Sequence, residues 1–139
     1  MKSLKTLIKL RKDEVDKRRK ELAEIEMRQA KLQHEHDNLG KRINEEVIAA
    51  REFPDQAITF AAYLKRTKLR MEDLLRNILM LQQVIDKKRD ELQAAFGEQK
   101  KLEIVLDRKI EEEKFSANKR EQLKMDEIAA RKFTSPATQ

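Results

Sequence analysis

The stretch "REFPDQ", Arg51–Gln56, decides how this chain folds. Pro54 has no N–H to donate to a helix, and it forces the residue before it, Phe53, toward extended backbone. Asp55 is suited to cap a helix that begins again just beyond. No other break of comparable strength occurs before residue 134. The expectation is therefore one sharp turn, at 54–57, between a first helix at 3–53 and a second at 58–133. "TSPATQ" at 134–139 reads as a flexible tail, and the whole chain, 1–139, reads as a single coiled-coil domain. Ser3 is the expected N-cap of the first helix.

Both sides of the break carry a heptad seam. Alternating steps of four and three from Leu4 visit Leu4, Ile8, Arg11, Val15, Arg18, Leu22, Ile25, Gln29, Leu32, His36, Leu39, Ile43, Glu46, Ala50 and Phe53, ten of fifteen apolar. A seam held this long specifies a coiled coil rather than a globular amphipathic helix. Beyond the break the slots Met71, Leu74, Ile78, Leu81, Ile85, Lys88, Leu92, Ala95, Gln99, Leu102 and Leu106 are apolar at nine of eleven. Then the seam fades: Lys109, Glu113, Ser116, Arg120, Leu123, Glu127 and Ala130 are apolar at two of seven.

A short turn folds two such helices antiparallel. Positions summing to roughly 108–110 then face each other, by one-to-one pairing across the turn. Leu4 falls opposite the point where the second seam ends. At 1.5 Å per residue the paired part spans about 75 Å and the unpaired remainder about 40 Å. The fold class is all-α: a long antiparallel two-helix coiled coil, or helical hairpin, with an overhanging C-terminal helix.

Composition agrees with this reading. Charged residues make up 42% of 139 residues and aromatics 4%, with two Gly and two Pro, which suits a long helix and not a compact core. With no Cys there are no disulfides, thiolate metal sites or thiol chemistry. The longest uncharged runs, "QAITFAAYL" and "NILMLQQVI", are about half a membrane span. Lys5 and Lys9 interrupt any signal-peptide core, so a cytoplasmic protein is expected. The net charge of +6 is interleaved: 14 basic against 11 acidic residues over 1–53, 12 against 9 over 54–110, and 6 against 6 over 111–139. A solvated helix surface looks like this and a nucleic-acid surface does not.

Little in the sequence points to catalysis. His34 and His36, two apart on a helix, point about 200° away from each other and cannot share a metal. Gly40 and Gly97 stand alone in helical patterns, and nothing resembles a phosphate loop. "EEE" at 111–113 has no pocket to desolvate it and reads as a solvated face. In "LRKDEVDKRRKEL", Leu10–Leu22, the acidic residues neutralise much of the basic charge at i,i+3 and i,i+4. Arg11 and Arg18, in inner slots, are expected to weaken the seam near the open end. No enzyme activity, cofactor or metal is expected.

Two surfaces suggest binding instead. In "KREQLKMDEIAARKF", Lys119–Phe133, the residues Met125, Ile128, Ala129 and Phe133 fall on one helix face at i, i+3, i+4, i+8. That face has no partner within the hairpin, and an uncovered apolar face is a candidate contact site. Near the turn, Phe53, Ala57, Ile58, Phe60, Ala61, Ala62, Tyr63 and Leu64 exceed what a two-helix tip can bury.

Three stretches carry a family likeness. "EQLKMDEIAARKF", Glu121–Phe133, resembles the closing Met-Asp-Glu-x-Ala-x-Arg region of the flagellar export protein FliJ family. "SLKTLIKLRKDEV", Ser3–Val15, resembles that family's opening, and "FAAYL", Phe60–Leu64, is similar to the Phe-x-x-x-Leu pattern that begins its second helix. The resemblance implies a stalk-like coiled coil of the cytoplasmic flagellar type III export apparatus, with its free helical ends entering the ring of the hexameric export ATPase. It implies further contacts with the membrane export gate and with export chaperones. The protein would lie peripherally at the inner face of the cell membrane, held there through partners only. Carried onto this chain, the ATPase contact maps to Leu4, Leu7, Ile8, Lys124, Met125, Asp126, Glu127, Ile128, Ala129 and Arg131, with Phe133 completing the apolar face. The gate contact maps to Phe60 and Leu64, and the likeness does not extend to Thr67 and Met71. The alternatives are a generic or dimeric coiled-coil tether, the equivalent stalk of a virulence type III secretion system and, last, a basic nucleic-acid binder.

Overall fold

The structure, a computed structural model, describes residues 2–134, apart from the side chains of Gln56 and Thr134. It is all-α: α1 (Lys2–Glu52), a single 3-10 turn (Pro54–Gln56) and α2 (Ala57–Thr134), the two long helices packed against each other as a hairpin. Thr134 closes α2, and the rest of the expected tail lies outside the described residues.

The turn follows from proline chemistry. Phe53 leaves the helical region at φ −126°, ψ 83°, while its N–H still donates to the Ala49 carbonyl at 2.9 Å. Pro54 opens the 3-10 turn, where its missing N–H costs nothing, and the Ala57 N–H donates back to the Pro54 carbonyl. No described residue has a positive φ, so the reversal needs no glycine.

Two expected caps are corrected. Ser3 lies inside the first turn of α1, which starts at Lys2, so it lacks the non-helical backbone of an N-cap. Asp55 sits within the 3-10 turn, and the residue preceding that turn, Phe53, makes no side-chain cap.

The chain forms two compact units. In the unit Asp13–Ala95, Val15, Leu22, Leu74, Ile78 and Ile85 are buried, with Leu74 at 0% exposure. Ion pairs and hydrogen bonds run antiparallel across this core: Arg18 to Glu91, Lys88 to Glu21, Arg89 to Glu26, Gln29 to Gln82 and Arg70 to Glu35. Every expected α1 slot in this unit is buried or half-buried except Glu46 and Phe53. Glu46 borders an open cleft, and Phe53 has already left the helix.

The inner polar residues are satisfied. Arg18 is half-buried and donates to Glu91 at 3.1 Å and to Glu14 at 3.3 Å, while Lys88 reaches both Glu21 and Glu91. The expected weak point at Arg18 is thus a paired ionic layer. Gln29 Nε2 donates to the Gln82 side chain at 2.8 Å and to the Ile78 carbonyl at 3.2 Å. His36 lies half-buried in its inner slot beside Asp37, and His34 is exposed. The Asp37 carboxyl is held below the usual carboxylate range, first by the Gln33 hydrogen bond and then by His36.

The other unit runs to Lys12 and resumes at Phe96. Ile8 and Gln99 are its buried residues, flanked by half-buried Leu4, Arg11, Leu102 and Leu106. Lys12 approaches Glu103 at 3.9 Å across the pair. Ile110 is the last half-buried side chain, and from Glu111 to Phe133 every residue is exposed.

Candidate partner-binding surfaces

The exposed segment Glu111–Phe133 is helical throughout, with Arg131 and Lys132 in its last turn complementing the dipole. Its helicity comes from residue choice: Glu, Lys, Ala and Arg dominate, and Gly and Pro are absent. Lys124, Met125, Asp126, Glu127, Ile128, Ala129 and Arg131 are all exposed, and Phe133 is 92% exposed. Met125, Ile128 and Phe133 form an apolar face on which none of the described residues packs. Acidic and basic neighbours alternate around that face, so a partner covering it would meet directional charge as well as apolar area.

The sequence reading missed Phe115. It is exposed, and it lies about five helical turns before Phe133, hence on the same side of α2. The signal that could have found it is this spacing, since Phe115 falls outside the fading heptad slots. Leu123 is exposed too, on a different side of the helix from Met125.

At the start of α1 the three expected contact residues separate. Ile8 is 7% exposed and belongs to the core, Leu4 is half-buried, and Leu7 is exposed. Only Leu7 offers substantial free area while the pair is closed. Leu10, which sequence reasoning did not single out, is more exposed than Leu7.

Near the turn, Phe60 is half-buried and lines an open cleft of about 380 Å³ with Glu46, Ala50, Thr59, Tyr63 and Arg66. Leu64, one turn further, is also half-buried. Ile58 and Phe53 are exposed, so this end keeps an apolar surface in the folded chain. Thr67 is buried, and Met71 is half-buried with its Cε 3.6 Å from where a Cβ on Gly40 would stand.

Among the described residues no group of His, Asp and Glu is arranged to hold a metal ion, and no helix is long and apolar enough to cross a membrane. Neither the comparison with curated proteins nor that with solved structures finds a match. The comparison with family models does: residues 1–138 match the model described as the flagellar FliJ protein. This chain therefore belongs to the flagellar FliJ family, as a non-catalytic coiled-coil component related to flagellar protein export.

Proposed function

We propose that this chain is the stalk of the flagellar type III export apparatus, inserting its helical ends into the hexameric export ATPase. The observation that carries the reading is the apolar face of Met125, Ile128, Ala129 and Phe133, exposed on a segment whose described side chains are all exposed. Helices in proteins take most of their stability from packing of an apolar face, so covering this one stabilises the segment. Lys124, Asp126, Glu127 and Arg131 set the register of the helix against charged groups of the ring. Leu4, Leu7 and Ile8 add the second helical end, with Leu7 in first contact and Ile8 holding the pair together.

The turn end serves a second partner. Phe60 and Leu64 dock the cytoplasmic part of the membrane export gate, and export chaperones use the remaining exposed surface. The chain works in the cytoplasm and is brought to the inner face of the cell membrane by these partners. It catalyses nothing itself: it promotes ring assembly and raises ATP turnover.

The test is ATP hydrolysis by the same organism's export ATPase, titrated with the full chain and with a chain ending at Lys114. The full chain stimulates hydrolysis and the shortened one does not. Equal stimulation by both would remove the segment from the mechanism. No effect of either, with binding elsewhere, would make the protein an adaptor.

A further inference from the structure

From Lys2 to Lys12 the chain carries five basic residues and no acidic one, whereas the charges elsewhere are interleaved. Lys2, Lys5, Lys9 and Lys12 recur at i, i+3, i+7, i+10, so they form a stripe along one face of α1. All four are exposed. Lys12 approaches Glu103 at 3.9 Å, and among the described residues Lys2, Lys5 and Lys9 make no ion pair. The first turn of α1 contains no acidic residue, so these cations also oppose the helix dipole. Of these four lysines, Lys12 alone has a carboxylate beside it among the described residues, that of Glu103.

We infer that this stripe docks the free chain on an anionic lipid bilayer. Charge complementarity names the partner. The stripe is all lysine, a hydrated point charge on a flexible stem, which suits a diffuse field of headgroups better than paired recognition of individual carboxylates. Exposed Leu7 and Leu10 lie on other sides of α1 from the stripe, so the contact is electrostatic and superficial rather than inserted. No aromatic residue lies in this stretch to stack on a nucleic-acid base. The contact is direct, and it stands apart from the partner-mediated membrane association proposed above. It occupies the chain while its helical ends are not engaged in a ring.

The experiment is vesicle flotation of the full chain over a salt series. It compares phosphatidylcholine alone with phosphatidylcholine containing about one-third phosphatidylglycerol. One variant combines Lys2→Gln, Lys5→Gln and Lys9→Gln; its control combines Lys31→Gln, Lys68→Gln and Lys87→Gln, all exposed and of equal charge change. Each surface lysine raises partitioning roughly fivefold, so the stripe variant loses about a hundredfold in affinity for anionic vesicles while the control keeps most of it. Binding fades on neutral vesicles and in high salt. Three results would overturn the proposal: no flotation of the unaltered chain, equal loss in both variants, or unchanged vesicle binding with lost affinity for a DNA oligonucleotide. A Lys-to-Arg version of the stripe retains binding, which separates charge from any local effect on helix stability.

Discussion

Leu74 and Leu79 stand five residues apart on one helix and have opposite fates. Leu74 is fully buried, whereas Leu79 is 59% exposed. Leu74→Ala removes buried methyl groups and leaves a cavity, so it destabilises the hairpin by about 2–5 kcal/mol. Leu79→Ala stays within about 0.5 kcal/mol. Urea unfolding followed by circular dichroism distinguishes them. Gln29 makes a subtler point, because it gives up apolar packing for hydrogen bonds to Gln82 and the Ile78 carbonyl. A polar inner residue of this kind fixes register at a cost in stability. Gln29→Leu is therefore expected to raise the unfolding midpoint while light scattering detects a spread of association states. The heptad pattern made both residues legible as inner ones. It could not show that Thr67 is buried or that Glu46 is not, because burial at a slot depends on the local separation of the helices, and sequence period carries no distance.

At the scale of the helices, the turn was readable because Pro54 constrains two residues by covalent geometry alone. The caps were not, since Ser3 and Asp55 suit capping positions that the helix starts do not use. Gly40 tests how closely the pair packs. A Cβ there meets Met71 Cε at 3.6 Å, an ordinary contact, and Gly97 faces open space. Each Gly→Ala change is therefore expected to stabilise by about 1 kcal/mol, through helix propensity alone. A lower melting temperature in the Gly40 variant would mean that the helices approach more closely than 3.6 Å implies. Glu103 gives the pair a small pH dependence. Its carboxyl lies below the usual range, first through the Gln99 hydrogen bond at 3.0 Å, then through Lys100 at 3.1 Å and the field of Lys12, with burial opposing. A lowered folded-state pKa stabilises fully above the ordinary glutamate range and is lost as pH falls through the lowered value. Melting scans in acid are expected to show a shallower decline for Glu103→Gln than for the unaltered chain.

For the molecule as a whole, the residues buried in the hairpin and those proposed for recognition are mostly different, Ile8 being common to both. Among the described residues the buried side chains all precede Leu102, whereas the residues proposed to meet the ATPase ring are mostly from Lys124 onward. This division was legible in the sequence because one seam runs out of apolar residues while the helix former content does not. What covers the exposed face was not legible, since an apolar stripe specifies area and not identity, and the family likeness supplied the candidate. The division has a direct consequence. Ending the chain at Lys114 removes a segment whose described side chains, Phe115 to Phe133, are all exposed, so little buried apolar area is lost, and the energy of folding scales with that area. The shortened chain is expected to unfold at the same urea midpoint as the full one, within error, while its total helical signal falls in proportion to the residues removed. A lower midpoint would show that residues beyond Lys114 stabilise the fold, by folding back or by pairing between copies. An unchanged midpoint that stays flat across a wide range of protein concentration, for both chains, would leave the face of Met125, Ile128 and Phe133 free for a different protein. In that case the loss of ATPase stimulation in the shortened chain could be assigned to lost contact rather than lost structure.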